Sequence, residues 1–142
     1  MAAERRDTWA AGRPYELYMG RWSRLVAKDF LVWLKMPPNL DWLDVGCGTG
    51  ALSEVILQYA KPRSVKGVDP SMAFVEHAKA HITDPRVTFE VADAQSLPLG
   101  SARFDSAVAG LVLNFVPNPS LAVREMARVV RPGGIVAAYV WD

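Results

Sequence analysis

Trp42–Ser53 reads WLDVGCGTGALS. An apolar run closes on an aspartate, glycines alternate at Gly46, Gly48 and Gly50, and a helical pattern of apolar residues starts at Ala51. This is strand, tight loop and helix, with glycines where a backbone must turn sharply or let a ligand come close. Gly46, Gly48 and Ala51 satisfy G-x-G-x-x-G/A, the spacing that cradles the pyrophosphate of a dinucleotide in a βαβ unit. Asp44 argues for another ligand. Its carboxylate, two residues ahead of Gly46, would face the space above the loop, and like charges in a partly desolvated crevice repel.

The alternation begun there continues in both directions. Upstream, Trp22, Val26, Phe30 and Trp33 recur at helical spacing, an aromatic stripe of the kind that usually faces a core, and Pro37-Pro38 ends that helix. Strands are predicted at Leu40–Val45, Val65–Val68, Val87–Val91, Phe104–Ala109 and Ile135–Val140. Helices are predicted between them, at Ala51–Tyr59, from Ser71 to about Ile82, and over Pro119–Val130, with Arg131-Pro132-Gly133-Gly134 as the last turn. Strands alternating with helices predict an α/β, doubly wound, Rossmann-like parallel sheet of order 3-2-1-4-5. Its crevice opens beyond the carboxyl ends of strands 1 and 4.

Length and composition bound the function. The 142 residues make one domain, 51% of them apolar, with a formal charge of +1. That balance offers no basic footprint for nucleic acid. The N-terminal MAAERRDTWAAGRPYE lacks the apolar stretch of a secretory signal, and no run reaches the roughly 20 apolar residues of a membrane span, so a cytoplasmic protein is expected. Cys47 is the single cysteine, which excludes an intrachain disulfide and a thiolate zinc cluster from this chain alone. Cys47 near a helix start could be nucleophilic, but it has no histidine nearby in sequence. His77 and His81 have the spacing of a metal pair, but without a third ligand a solvated helix face is expected and no metal is assigned.

Asp44, Asp69 and Asp93 end strands 1, 2 and 3 on one rim. A ligand carrying an ammonium and a sulfonium suits Asp44, and S-adenosyl-L-methionine carries both. Asp69, 19 residues after Gly50, is placed to accept from both ribose hydroxyls. Asp93 is placed to accept from the adenine amine, with Met72 or Leu97 against the base.

DVGCGTG, GVDPS, VADAQSLP, FDSAVAGLVLNFV and RVVRPGGIVAAYVWD, in this order, resemble the class I S-adenosylmethionine-dependent methyltransferases. The likeness covers residues 40–142 and is nearest to the small-molecule branch that includes ubiquinone and menaquinone biosynthesis enzymes. The resemblance implies that Asp44, Gly46, Cys47, Gly48, Thr49 and Gly50 bind the methionine part, and that Asp69 with Pro70 holds the ribose. It implies Met72 over the adenine, Asp93 and Ala94 at the adenine edge, and Leu111 offering backbone to the methionine amine. YELYMGRWS resembles the family's N-terminal lid, with Tyr15, Tyr18 and Met19 closing over the cofactor and Arg21 reaching its carboxylate.

The expected division is 1–36, lid and helix, and 37–142, a cofactor-binding domain incomplete at its C-terminus. Relatives continue past strand 5 with an antiparallel strand pair, and this chain stops at Asp142. Strand 5, apolar enough to be buried on both faces, would be left with an open edge, so a truncated enzyme is expected, or a homodimer covering that edge. The expected activity is methyl transfer from S-adenosylmethionine to a small-molecule acceptor, with no catalytic residue assigned. The alternatives are a nicotinamide-dependent oxidoreductase and a non-catalytic cofactor-binding module.

Overall fold

The structure is a computed structural model and describes residues 21–141. Five strands form one sheet: β1 (Asp41–Val45), β2 (Ser64–Asp69), β3 (Val87–Val91), β4 (Phe104–Gly110) and β5 (Val130–Tyr139). Their order is β3-β2-β1-β4-β5 and every pairing is parallel, as the alternating pattern predicts. The helices are α1 (Arg21–Leu34), α2 (Ala51–Tyr59), α3 (Met72–His81) and α4 (Pro119–Val129), with a 3₁₀ turn at Leu113–Phe115.

Side chains alternate across a strand, so the central strand feeds two cores. Trp42 of β1 packs with Ala27, Phe30, Ile56 and Val75 of α1, α2 and α3 on one face. Leu43 and Val45 pack with Ala122, Met126 and Val129 of α4 on the other. Asp44 lies between them in the strand and is 1% exposed, so its carboxylate is set at the sheet's rim rather than in solvent.

Three expectations are corrected. The buried face of α1 is Ser23, Ala27, Phe30 and Leu31, while Trp22 and Trp33 are exposed, Trp33 to 71%. The aromatic spacing follows a face rotated from the one that meets the sheet. Arg131–Gly134 is not a free turn: β5 already starts at Val130, which pairs with Phe104, before the register jumps to Ser106 with Ile135. Pro132 lacks an amide hydrogen and Gly133 has φ +86°, so the segment bulges without leaving the sheet. Arg131 anchors it, donating to Asp41 at 3.2 Å and pairing with Asp105 at 2.8 Å. Lastly, β5 is not buried on both faces, since Val136 is exposed, and among the described residues its outer edge carries no strand.

Asp41 collects the starts of three strands. It accepts from Arg63, from Ser64 Oγ at 2.7 Å and from Arg131, and these donors hold its carboxyl well below the usual carboxylate range. This network closes the amino end of the sheet and leaves the carboxyl end to the loops.

Candidate functional site

The glycine loop leaves β1 with its amides already spoken for. Gly46 N and Cys47 N donate to the Val68 carbonyl at 2.8 and 2.9 Å, and Gly50 N donates to Cys47 O at 2.9 Å. Gly48 N donates to Asp69 Oδ2 at 3.0 Å. A phosphate cradle needs amides pointing at the ligand. Here four of them point at protein oxygens, and what the loop presents to the rim is carboxylate.

Two glycines explain the loop's shape. Gly46 has φ +71°, and a Cβ there would stand 2.5 Å from Val112 Cγ1, so loop and post-β4 segment touch through it. Gly48 has φ +55°, and no atom lies within 4 Å of where its Cβ would be. Gly46 therefore serves packing, and Gly48 leaves room.

Asp69 pins the loop to the next unit, because its other oxygen accepts from Ser71 N at 2.8 Å. Each oxygen keeps a second lone pair for a ligand hydroxyl. Ser71 itself caps α3, its hydroxyl accepting from Phe74 N at 3.3 Å. Asp44 accepts from Ser53 Oγ of α2 at 2.7 Å. Burial, reinforced by the nearby Asp69 charge, pushes Asp44 up to about 7, although the Ser53 bond works against it. Asp69 is also raised, again by burial. Two buried carboxylates with raised values and no cationic partner among their hydrogen bonds mark a site that a positive ligand would stabilise.

A cavity of about 500 Å³ lies over these groups, within the range of small-ligand sites. Among the predicted residues, Asp44, Gly46, Cys47, Gly48, Thr49, Asp69, Pro70, Asp93, Ala94 and Leu111 all line it. Asp93 is held by its own turn, accepting from Gln95 N at 2.9 Å. Leu111 has φ +59°, uncommon outside glycine, and its amide donates to Tyr139 O at 2.8 Å.

Three predicted residues stand apart from the lining. Gly50, φ +98°, is the entry to α2, where Glu54 N donates to its carbonyl at 2.9 Å. Met72 is 64% exposed at the start of α3, and the same helix turns Phe74 into the cavity instead. Leu97 is buried in the α4-side core. Tyr15, Tyr18 and Met19 lie outside the described residues, and of Arg21 only its backbone place in α1 is described.

Ser23, Phe74, Tyr139 and Trp141 line the cavity and were not foreseen. Phe74 follows Asp69 by five residues on the turn that Ser71 caps, which is a readable signal. The others arrive by tertiary packing: Trp22 stacks on Trp141 with ring centroids 4.8 Å apart, and Phe30 meets Tyr139 at 4.7 Å. Burial pushes the Cys47 thiol well up, so its place before α2 does not make it a nucleophile. His77 and His81 stack with ring centroids 4.0 Å apart, and among the described residues no three metal-binding side chains converge.

Residues 43–138 match the methyltransferase domain family. The malonyl-[acyl-carrier protein] O-methyltransferase of Hahella chejuensis is 33% identical over 125 residues, 88% of this chain and 44% of that protein. The ubiquinone biosynthesis O-methyltransferase of Coxiella burnetii is 33% identical over 94 residues, 65% of this chain and 39% of that protein. A solved S-adenosylmethionine-dependent methyltransferase from Mesorhizobium loti superposes with a TM-score of 0.68 at 28% identity, covering 78% of this chain and 51% of its own. The chain thus spans less than half the length of these curated relatives, and the nicotinamide alternative finds no support among them. No helix among the described residues is long and apolar enough to cross a membrane. By its matched residues and its β3-β2-β1-β4-β5 sheet, the chain belongs to the methyltransferase domain family, which implies S-adenosyl-L-methionine as its cofactor.

Proposed function

We propose that the protein transfers a methyl group from S-adenosyl-L-methionine to the oxygen of a small-molecule acceptor. The observation that carries this reading is the pairing of internally bonded loop amides with carboxylates on the same rim. That arrangement disfavours a phosphate and suits a cationic ligand. Oxygen is chosen because both curated relatives are named O-methyltransferases.

When bound, the cofactor supplies an electrophilic methyl on a sulfonium. Asp69 would accept from the ribose hydroxyls, and Asp93 with Ala94 would meet the adenine edge, with Phe74 beside the base in place of Met72. Asp44, oriented by Ser53, would take the ammonium side, next to Gly46, Gly48 and Leu111. These residues act by holding one end of the reaction in line, and alignment alone can contribute about 7–11 kcal/mol to lowering a barrier. No general base is assigned. A base is needed only when the acceptor must lose a proton.

Residues 1–36 are kept as lid and helix, with Tyr15, Tyr18, Met19 and Arg21 closing the site, and 37–142 as the binding domain. Among the described residues the β5 edge is uncovered, which supports a second copy of the chain pairing there, and a single, buried thiol is in keeping with a cytoplasmic location. Incubation with methyl-labelled S-adenosylmethionine and a panel of phenols and carboxylic acids tests the activity. Label recovered in a methyl ether or ester is expected. Cofactor binding without transfer to any acceptor, even when the chain is extended to the relatives' length, would favour the non-catalytic module.

A further inference from the structure

Gln95 lies in the loop that leaves β3, is partly buried and lines the cavity. Its side-chain amide serves two elements at once. Nε2 donates to Asp93 Oδ1 at 3.3 Å, and Oε1 accepts from Asn118 N at 3.0 Å. A backbone N–H only donates and an ionised carboxylate only accepts, so a primary amide is the group that satisfies both, and the two partners fix which way it points. Glutamate in its place would meet one end, and leucine neither.

Asp93 Oδ1 also accepts from Gln95 N at 2.9 Å, so both donors that the carboxylate finds among the described residues fall on one oxygen. Oδ2 is the oxygen left for a ligand, and Asp93 lines the cavity. At the other end of the amide, Asn118 directly follows Phe115, Val116 and Pro117, which also line the cavity. The Asn118 side chain caps α4, accepting from Leu121 N at 3.3 Å. β2 and β1 lie between β3 and β4 in the sheet, so Gln95 joins two walls of the cavity that no strand pairing connects.

The loop is fastened to α4 without Gln95. Glu125 Oε1 accepts from Leu97 N at 2.8 Å, and Arg128 donates to the Leu97 and Leu99 carbonyls at 3.0 and 2.8 Å. What Gln95 adds is the setting of the Asp93 carboxylate, because two donors on Oδ1 resist its turning. An ionised Oδ2 accepts from an amine on a purine ring and repels an oxo group there. We propose that Gln95 is a positioning residue that presents Asp93 Oδ2 to the exocyclic amine of the cofactor's adenine and so sets the preference for an amino over an oxo group at that ring position. This rests on the cofactor reading given above.

The test is calorimetry at pH 8 on the wild type, Gln95→Leu and Gln95→Glu, with S-adenosylhomocysteine and with S-inosylhomocysteine, in which an oxo group replaces that amine. The wild type should prefer S-adenosylhomocysteine by about tenfold or more, since the inosine ligand both loses the bond and faces the carboxylate. Gln95→Leu should weaken S-adenosylhomocysteine about three- to tenfold and leave the inosine ligand within about twofold, so the preference shrinks. Gln95→Glu keeps an acceptor for Asn118 N but turns a negative charge toward Asp93, and its preference should shrink as well. An equal loss for both ligands in Gln95→Leu would mark a tie that only supports the fold and overturns the assignment. An unchanged preference, or a wild type that does not distinguish the two ligands, overturns it too. If Gln95→Leu does not fold, Gln95→Glu decides: a reduced preference upholds the assignment and a wild-type preference overturns it. Failure of the wild type to bind either ligand would instead remove the cofactor reading itself.

Discussion

Replacing Asp44 with Asn separates stability from binding at one atom. In the ligand-free protein the Asp44 carboxyl is raised from 3.8 to about 7, chiefly by burial. Between those values the folded protein holds a proton that the unfolded chain releases, so stability falls as pH rises through that window and levels off above it. The interval corresponds to about 4 kcal/mol. Asn keeps an oxygen for the 2.7 Å bond from Ser53 but carries its own desolvation cost. At pH 8 the variant should therefore be more stable than the wild type by roughly 1–3 kcal/mol, a gain that shrinks or reverses by pH 5. Thermal melts across that range, without ligand, measure it. Binding should move the opposite way. An ammonium beside Asp44 favours its ionised form, so wild-type affinity for S-adenosylhomocysteine should fall about tenfold per pH unit below 7, while Asp44→Asn binds weakly with a flat profile. A variant whose melting advantage is the same at pH 5 and pH 8, or which binds S-adenosylhomocysteine as well as the wild type, would refute the reasoning.

The two glycines should respond differently to a single methyl. Gly46→Ala drives a Cβ to 2.5 Å from Val112 and should destabilise by about 1–3 kcal/mol in denaturant melts. Gly48→Ala meets no atom, so only its backbone strain of about 1–2 kcal/mol appears in the melt, while the methyl enters ligand space and calorimetric binding is lost. Asp69→Asn keeps an acceptor for one of the two amides now held by Asp69, and should weaken S-adenosylhomocysteine tenfold or more while sparing a ligand without ribose hydroxyls. Asp41 has a lowered folded value, so its contribution is present at neutral pH and lost as pH falls below about 3.8; Asp41→Asn should flatten the acid limb of the melting curve.

The fold was legible because each strand–helix unit carries local punctuation: glycines after β1, Asp-Pro-Ser after β2, Asn-Pro before α4. The site's β1, β2 and β3 contributions were legible for the same reason, since Asp44, Asp69 and Asp93 sit at strand ends whose position follows from periodicity alone. What failed depended on rotation or packing. The α1 stripe chose the wrong face because aromatic spacing cannot say which side meets the sheet. Met72 and Phe74 are two residues apart on a helix, and only the helix's orientation decides which enters the cavity. Ser23, Tyr139 and Trp141 reach the site through contacts between the two ends of the described chain, far beyond any local pattern.

Parallel calorimetric titrations with S-adenosylhomocysteine and with a nicotinamide dinucleotide bear most directly on the glycine loop. The arrangement of internally bonded amides and rim carboxylates predicts one-to-one binding of S-adenosylhomocysteine, abolished by Gly48→Ala, and no heat with the dinucleotide. Tight dinucleotide binding with no response to S-adenosylhomocysteine would contradict it.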